Sequence, residues 1–458
     1  MDQRGKLTKH PMGSLREIWH VAAPLMLMTF STYAMLFADR MILARYSVEA
    51  MNASAVASAT YAIFMFSSFS LALIAEVFVG QYNGAGLFKK MGEPVWQMIW
   101  FALLSFLIFW PLAFFLGDIL FTAPTTSLGI PYFKWLMLFG PMVPMIGALE
   151  AFNIGRGKTI AITIIAVIAN LTNILLDYLL VFGIEGVIPS MGLSGAAIAT
   201  GIAQTLQVAI LFVLFLRPKH RKLFGTANFR FNKKAFLQCI KVGSPMAISH
   251  AIAITAWAFF NDLIAQTGLA YMTTIVICQN YFFFFCFLTE GLGKAVTTLA
   301  ANFIGAKKSD FIPKMLKSAV HLHVIFVVIL AVPLAIYSKP FIDLFLDGST
   351  IPTETLPQVL DMLGGALFWM WLTFICNGFF WIYSSQLSAA GDTKFVMFAN
   401  MLSAWLFLLL PTYLFIIHFK CSPCLSWKLI AFDIFVASTL FYLRYRSGKW
   451  RSFQIIQD

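Results

Sequence analysis

Asp39 and Asp177 each interrupt a long apolar run, in Ala38-Asp39-Arg40-Met41-Ile42 and in Asn173-Ile174-Leu175-Leu176-Asp177. An ionisable side chain among hydrocarbon costs several kcal/mol unless it faces a protein interior or water, so such residues are candidates for function. Asn173 lies one helical turn before Asp177 and shares its face. Two carboxylates and an amide suit Na⁺, a hard cation that takes oxygen ligands, or a shared proton, because adjacent carboxylates resist double ionisation. Either cation would link binding to conformation. The competing reading is a polar pair that only fastens two helices.

A second group comprises Glu76, Glu290 and Lys294. Lys294 follows Glu290 by one turn, which predicts an internal ion pair and local neutralisation. Glu150 stands six residues from Arg156 and reads as reaching the interface. Asp262, Asp361 and Asp433 are placed near helix ends for the same reason. Gly155-Arg156-Gly157-Lys158-Thr159 has the look of a phosphate loop, but the pattern needs glycine where Phe152 stands, and a preceding strand. His321 and His323 project from different helix faces and predict no metal site. Cys239, Cys278, Cys286 and Cys376 act as small hydrophobes, whereas Cys421 and Cys424 could close a local disulfide in an oxidising compartment.

The elements that position these residues follow from composition. The 458 residues are 60% hydrophobic and 11% charged, far from the roughly one-quarter charged of soluble domains. Runs longer than about 18 apolar residues, each able to cross a bilayer as a helix, predict twelve spans. These are 17–45, 52–82, 94–117, 132–154, 160–184, 191–216, 236–267, 273–304, 315–338, 357–388, 395–419 and 425–443. The fold class is thus an all-α polytopic membrane protein. The first span has no small-residue cleavage site and reads as an uncleaved helix. With the amino terminus inside, 25 of the 32 Lys and Arg fall on inner segments and six on outer ones. That bias is the positive-inside rule; it predicts a plasma (inner) membrane protein with both termini cytoplasmic and makes nucleic-acid binding an unnecessary account of the +12 charge. Asp39 and Asp177 then lie 23 and 19 residues beyond the inner cations Arg16 and Lys158. Both sit roughly 30 Å from the inner face, deep enough to share one site.

The chain repeats itself. Ala23-Pro24-Leu25-Met26 is answered by Ser244-Pro245-Met246, and Gly84-Ala85 by Gly305-Ala306, at one common offset of 221 residues. Pro111-Leu112-Ala113 meets Pro333-Leu334-Ala335 one residue further on. Six crossings per repeat give two lobes of the same orientation, 1–216 and 236–458, joined by a basic cytoplasmic linker at 217–235. Such repeats place a substrate path between the lobes near mid-membrane. Pro24 removes a backbone hydrogen bond from the first helix and is a candidate hinge that would move Asp39. Many of the 48 Phe and 21 Met, including Phe282 to Phe285, face lipid; some can line a soft pocket tolerant of many ligands.

These motifs resemble the multidrug and toxic compound extrusion (MATE) family along nearly the whole chain. Phe78-Val-Gly-Gln-Tyr-Asn-Gly-Ala-Gly86 looks like the end of that family's second helix, echoed by Asn302-Phe-Ile-Gly-Ala306. Gly195-Ala-Ala-Ile-Ala-Thr200 and Ala390-Gly-Asp-Thr-Lys394 complete the pattern with the Asp39 and Asn173–Asp177 segments. The resemblance implies a small-molecule antiporter, expected to be a monomer without cofactor, that exports organic cations or other amphipathic compounds in exchange for H⁺ or Na⁺. It implies an amino-lobe cation site at Asp39, Asn173, Asp177 and Thr200. The carboxyl-lobe acids of one branch are replaced here by Ala253 and Asn377, which makes the amino-lobe, DinF-like branch the better fit. Asn377, Glu76, Glu290 and Lys294 remain secondary candidates.

Two other classes compete. A lipid-linked precursor flippase of the same superfamily would favour several cavity-facing Arg or Lys, and Lys294 alone is clearly intramembrane. An integral-membrane transferase would need a catalytic constellation that the sequence does not display, so no enzymatic activity is expected.

Overall fold

The computed structural model describes residues 5–121, 126–336, 356–453 and 455–456. Among them, twelve helices are long and apolar enough to cross a membrane: α1 Leu15–Tyr46, α2 Glu49–Ala85, α3 Phe88–Phe115, α4 Ser127–Ile154, α5 Thr159–Phe182, α6 Gly192–Phe215, α7 Lys233–Ala265, α8 Leu269–Gly305, α9 Ser309–Ile336, α10 Leu356–Ala390, α11 Thr393–His418 and α12 Leu425–Arg446. Each overlaps one predicted span, most ends agreeing within a few residues. Residues 337–338 of the ninth span, and Arg4 and Lys339 of the charge count, lie outside the described residues. No strand occurs among the described residues; Ile184 and Ile188 form one isolated bridge.

Local chemistry sets the helix ends. Ser14 caps α1 by accepting from Glu17 N, and Glu17 Oε2 accepts from Gly13 N at 2.6 Å, a reciprocal arrangement close to a capping box. Asn232 caps α7, its Oδ1 accepting from the amides of Lys234 and Ala235. Two crossings are interrupted, which hydropathy alone does not reveal. α2 breaks at Ile74, and α4 breaks at Gly140–Pro141, where proline supplies no N–H. In α11, two π-helical stretches, Ser403–Leu409 and Thr412–His418, flank Pro411. α1 and α7 run unbroken through Pro24 and Pro245.

Hydrocarbon, not water, suits the exterior. Leu107 and Phe115 are each 73% exposed and Val213 69%, apolar groups that a bilayer solvates without cost. Inside, α1 packs on α5, α5 on α6 and α2 on α4, while α1 crosses to α8 and α2 crosses to α7 and α8. The crossing contacts are tightest at the end that carries both termini. There Gly84 meets the Asn302 carbonyl and Gly305 meets the Gln81 carbonyl, approaches that only a residue without Cβ allows. Asn83 Nδ2 donates to Asn302 Oδ1 at 2.7 Å, and Gln81 Nε2 to Ala389 O at 2.9 Å. Further along, Phe30 packs edge-on against Phe287 and Phe284. The inter-lobe segment is strapped to α3: the indoles of Trp96 and Trp100 donate to Thr226 O and Phe229 O, at 2.9 and 3.0 Å.

Candidate cation site and cross-lobe cluster

The amino lobe brings Asp39, Asn173, Asp177 and Thr200 together. Gly195 lets α6 approach the Leu180 carbonyl of α5, where a Cβ would come within 2.6 Å, and this sets Thr200 beside Asn173. With the Asn173 amide oriented to satisfy both its ends, its nitrogen donates to Asp39 Oδ1 at 3.0 Å. Its oxygen then accepts from the Thr200 backbone N–H and hydroxyl, both at 3.2 Å. Asn173 and Asp177 are fully buried, whereas Asp39 and Thr200 are half-buried and face more open space.

Asp177 is the member of the group without a hydrogen-bond partner. Neither carboxyl oxygen has a hydrogen-bond donor, although both are buried, and the group within hydrogen-bonding reach is the carboxyl of Asp39. Two carboxyl groups cannot donate to one another unless one holds a proton, so a shared proton or a cation between them would satisfy both. The oxygen-only set of carboxylates, hydroxyl and amide fits H⁺ or Na⁺. A fastening role is already filled elsewhere on the same two helices. Thr163 Oγ1 donates to Pro24 O at 2.8 Å, and Asn170 Nδ2 donates to Ser31 Oγ at 2.5 Å. Sequence reasoning missed Tyr132 of α4, a buried residue whose hydroxyl pairs with Ser58 Oγ at 3.3 Å and lies near enough to both carboxyls to feel their charge. Only its place after Pro131 distinguishes it in the sequence.

The secondary candidates assemble around the boundary between the lobes. Glu290 and Lys294 form the predicted ion pair, Nζ to Oε1 at 2.9 Å. The pair is not local, however: Tyr33 of α1 donates to Glu290 Oε2 at 2.9 Å, and Lys294 reaches Thr29 Oγ1 at 3.5 Å. Glu76 accepts from Thr298 Oγ1 at 3.4 Å. Glu150 corrects the sequence reading. It is 3% exposed and accepts from Gln207 Nε2 at 3.0 Å, because its helix face, not its distance from Arg156, decides where it points. Asp433 is likewise engaged, bonded by Ser403 Oγ across α11 and α12. Asn377 is buried and donates to Thr289 Oγ1 at 2.9 Å. His323 Nε2 lies 2.9 Å from Ile375 O, a packing role, and Cys421 and Cys424 are free thiols.

Outside the spans, Asp392 and Arg444 form a bidentate pair, with Nε to Oδ2 at 2.7 Å and Nη2 to Oδ1 at 3.2 Å. Arg156 lies over the rings of Phe152 and Phe224, and burial pushes its guanidinium down to about 10. Burial, with Arg156 nearby, also holds the neighbouring His220 imidazole below its ordinary value.

Comparison with known proteins supplies a family and a set of relatives. The MatE family model matches residues 24–179 and 245–414, together well over half the chain. A probable multidrug resistance protein NorM of Thermotoga maritima is 24% identical over 421 residues, covering 90% of this chain and 88% of that protein. A transporter of the MOP superfamily from Pyrococcus furiosus superposes with a TM-score of 0.83 at 15% identity, covering 99% of both chains. An outward-facing multidrug resistance MATE family transporter superposes at 0.81 with 15% identity, covering 99% of this chain and 100% of that one. The structural likenesses show the fold.

Proposed function

The chain belongs to the MatE family, and from that membership we propose that it is a secondary antiporter exporting organic cations or other amphipathic compounds in exchange for H⁺ or Na⁺. The observation that carries this reading is the donorless, buried Asp177 carboxyl facing Asp39. Such an arrangement is satisfied by a cation, and Asn173 and Thr200 hold Asp39 in place to share it. The NorM name of the relatives supports multidrug cargo.

Alternating access follows from the two-lobed plan. The lobes meet at the end bearing both termini. With those termini cytoplasmic in the plasma membrane, as the charge bias supports, this is the state in which cargo is released outward and the coupling cation enters. Uptake of the cation between Asp39 and Asp177 removes the need for solvent around Asp39. α1 then bends at Pro24, and the seam toward the cytoplasm is released for the next cargo. The amino-lobe site makes the DinF-like branch the best match, since Ala253 and Asn377 offer the carboxyl lobe no acid.

The test is efflux from proteoliposomes under imposed pH or Na⁺ gradients, across a panel of cationic, zwitterionic and neutral dyes. Gradient-driven export of cationic dyes supports the proposal. Export that ignores both gradients, or no export of any dye, refutes it.

A further inference from the structure

Three carboxyl groups are left unused by the proposed cation site, those of Glu76, Glu150 and Glu290. All three act on one ammonium, that of Lys294. Glu76, Glu150, Thr29 and Tyr33 come from the amino lobe, and Glu290, Lys294 and Thr298 from the carboxyl lobe. The cluster therefore straddles the boundary between the lobes, where a two-lobed carrier is expected to place its cargo path. Glu290 and Lys294 are 15 and 11 residues from the end of α8 at Gly305. That places them roughly 22 and 16 Å from the closed end, about half of a 30 Å hydrocarbon core.

The surroundings indicate what can bind. Glu76 and Glu150 are closed off at 3% exposure, with only a hydroxyl and an amide as partners. The side chains of Glu290 and Lys294 keep 21% and 17% of their surface open. Tyr33 is bonded to Glu290, and one helical turn before these two residues, on α1 and α8, the rings of Phe30 and Phe287 meet edge-on. His250 of α7, bonded through Nδ1 to Met246 O at 2.9 Å, also faces Glu290, as does the Cys286 thiol. A carboxylate flanked by aromatic rings is the chemistry that recognises an organic cation. At Glu290 that place is already taken by a cation on a flexible four-carbon stem.

We propose that Lys294 is a tethered counter-cation and the specificity determinant of the cargo path: a monovalent organic cation binds at Glu290 by displacing the Lys294 ammonium, which moves toward Glu76 and Glu150. The inference rests on the export reading and deepens it. At Glu290 cargo charge takes the place of lysine charge, so that carboxylate stays paired, while the displaced ammonium is met by Glu76 and Glu150 and the net charge of the cluster rises by one. Met26 lies against Gly291, between the two charged residues, where a Cβ would come 2.7 Å from the Met26 backbone nitrogen. Displacement of Lys294 is therefore felt directly at the contact between α1 and α8.

The experiment is calorimetric binding of tetraphenylphosphonium, and of neutral triphenylphosphine oxide as a control, to purified full-length protein. K294M leaves Glu290 with Tyr33 as its remaining bonded donor, and the expected result is roughly tenfold or more tighter tetraphenylphosphonium binding. K294R is expected to match wild type, E290Q/K294M to lose the gain, and the neutral control to bind alike throughout. Unchanged or weaker cation binding by folded K294M overturns the proposal. If K294M does not purify folded, E290Q carries the test: roughly tenfold weaker cation binding supports the proposal, and unchanged binding overturns it. Absence of cation binding by wild type and every variant overturns the export reading as well, whereas equal binding by wild type and K294M overturns this inference alone.

Discussion

Replacing Asp177 with asparagine separates the cation-coupling account from a structural one. The side chain keeps its volume, and its new N–H₂ faces the carboxyl of Asp39, the group already within hydrogen-bonding reach. The amide thus supplies the donor that Asp177 lacks, worth about 1 kcal/mol to the fold. The coupling cation, in contrast, loses one of its two carboxylates. A unit charge about 4 Å from a carboxylate gains roughly 4 kcal/mol at an effective dielectric of about 20, so cation affinity should fall about a thousandfold. Asp177→Asn is therefore expected to be as thermally stable as wild type, or more so, while gradient-driven dye efflux from proteoliposomes is lost. Efflux within about twofold of wild type, with unaltered dependence on cation concentration, would refute the assignment.

Two further outcomes follow from the geometry. Gly305→Val places a side chain against the Gln81 carbonyl and should part the lobes at the terminal end, so spin labels at positions 89 and 314 should report longer distances by electron–electron resonance. An unchanged distribution would show that this seam is not the closed gate. His220 is held below its ordinary value of 6.5 by burial and by Arg156, so the unfolded chain binds the proton more readily. Stability contributed by neutral His220 is present above about pH 6.5 and declines as pH falls through the folded value. Between pH 7.5 and 5.5 the thermal midpoint should fall further in wild type than in His220→Gln, and equal falls would exclude this residue as the cause.

The twelve crossings were legible because hydrocarbon thickness fixes the length of an apolar helix, and almost nothing else in the chain competes with that signal. Asp39 and Asp177 stood out through their depth along separate helices, and Asn173 through its turn spacing. What the sequence left hidden depends on rotation about helix axes and on packing between distant segments. Glu150 lies close to Arg156 along the chain yet points inward to Gln207. Tyr33 joins Glu290 over 257 residues of sequence, so a pair that reads as a local turn of helix is also a bond between lobes. Tyr132 lies near the carboxyl pair from a third helix, α4, a placement that no sequence spacing records.

The central claim is that cargo leaves only as a cation enters between Asp39 and Asp177. It is tested most directly by counterflow in proteoliposomes of inverted orientation loaded with a pH indicator or supplied with ²²Na⁺, following dye and cation at the same time. Cation movement opposite to the dye, present in wild type and absent in both Asp39→Asn and Asp177→Asn, is the predicted result. Dye transport without stoichiometric counterflow of H⁺ or Na⁺, or counterflow that persists in both variants, would contradict it.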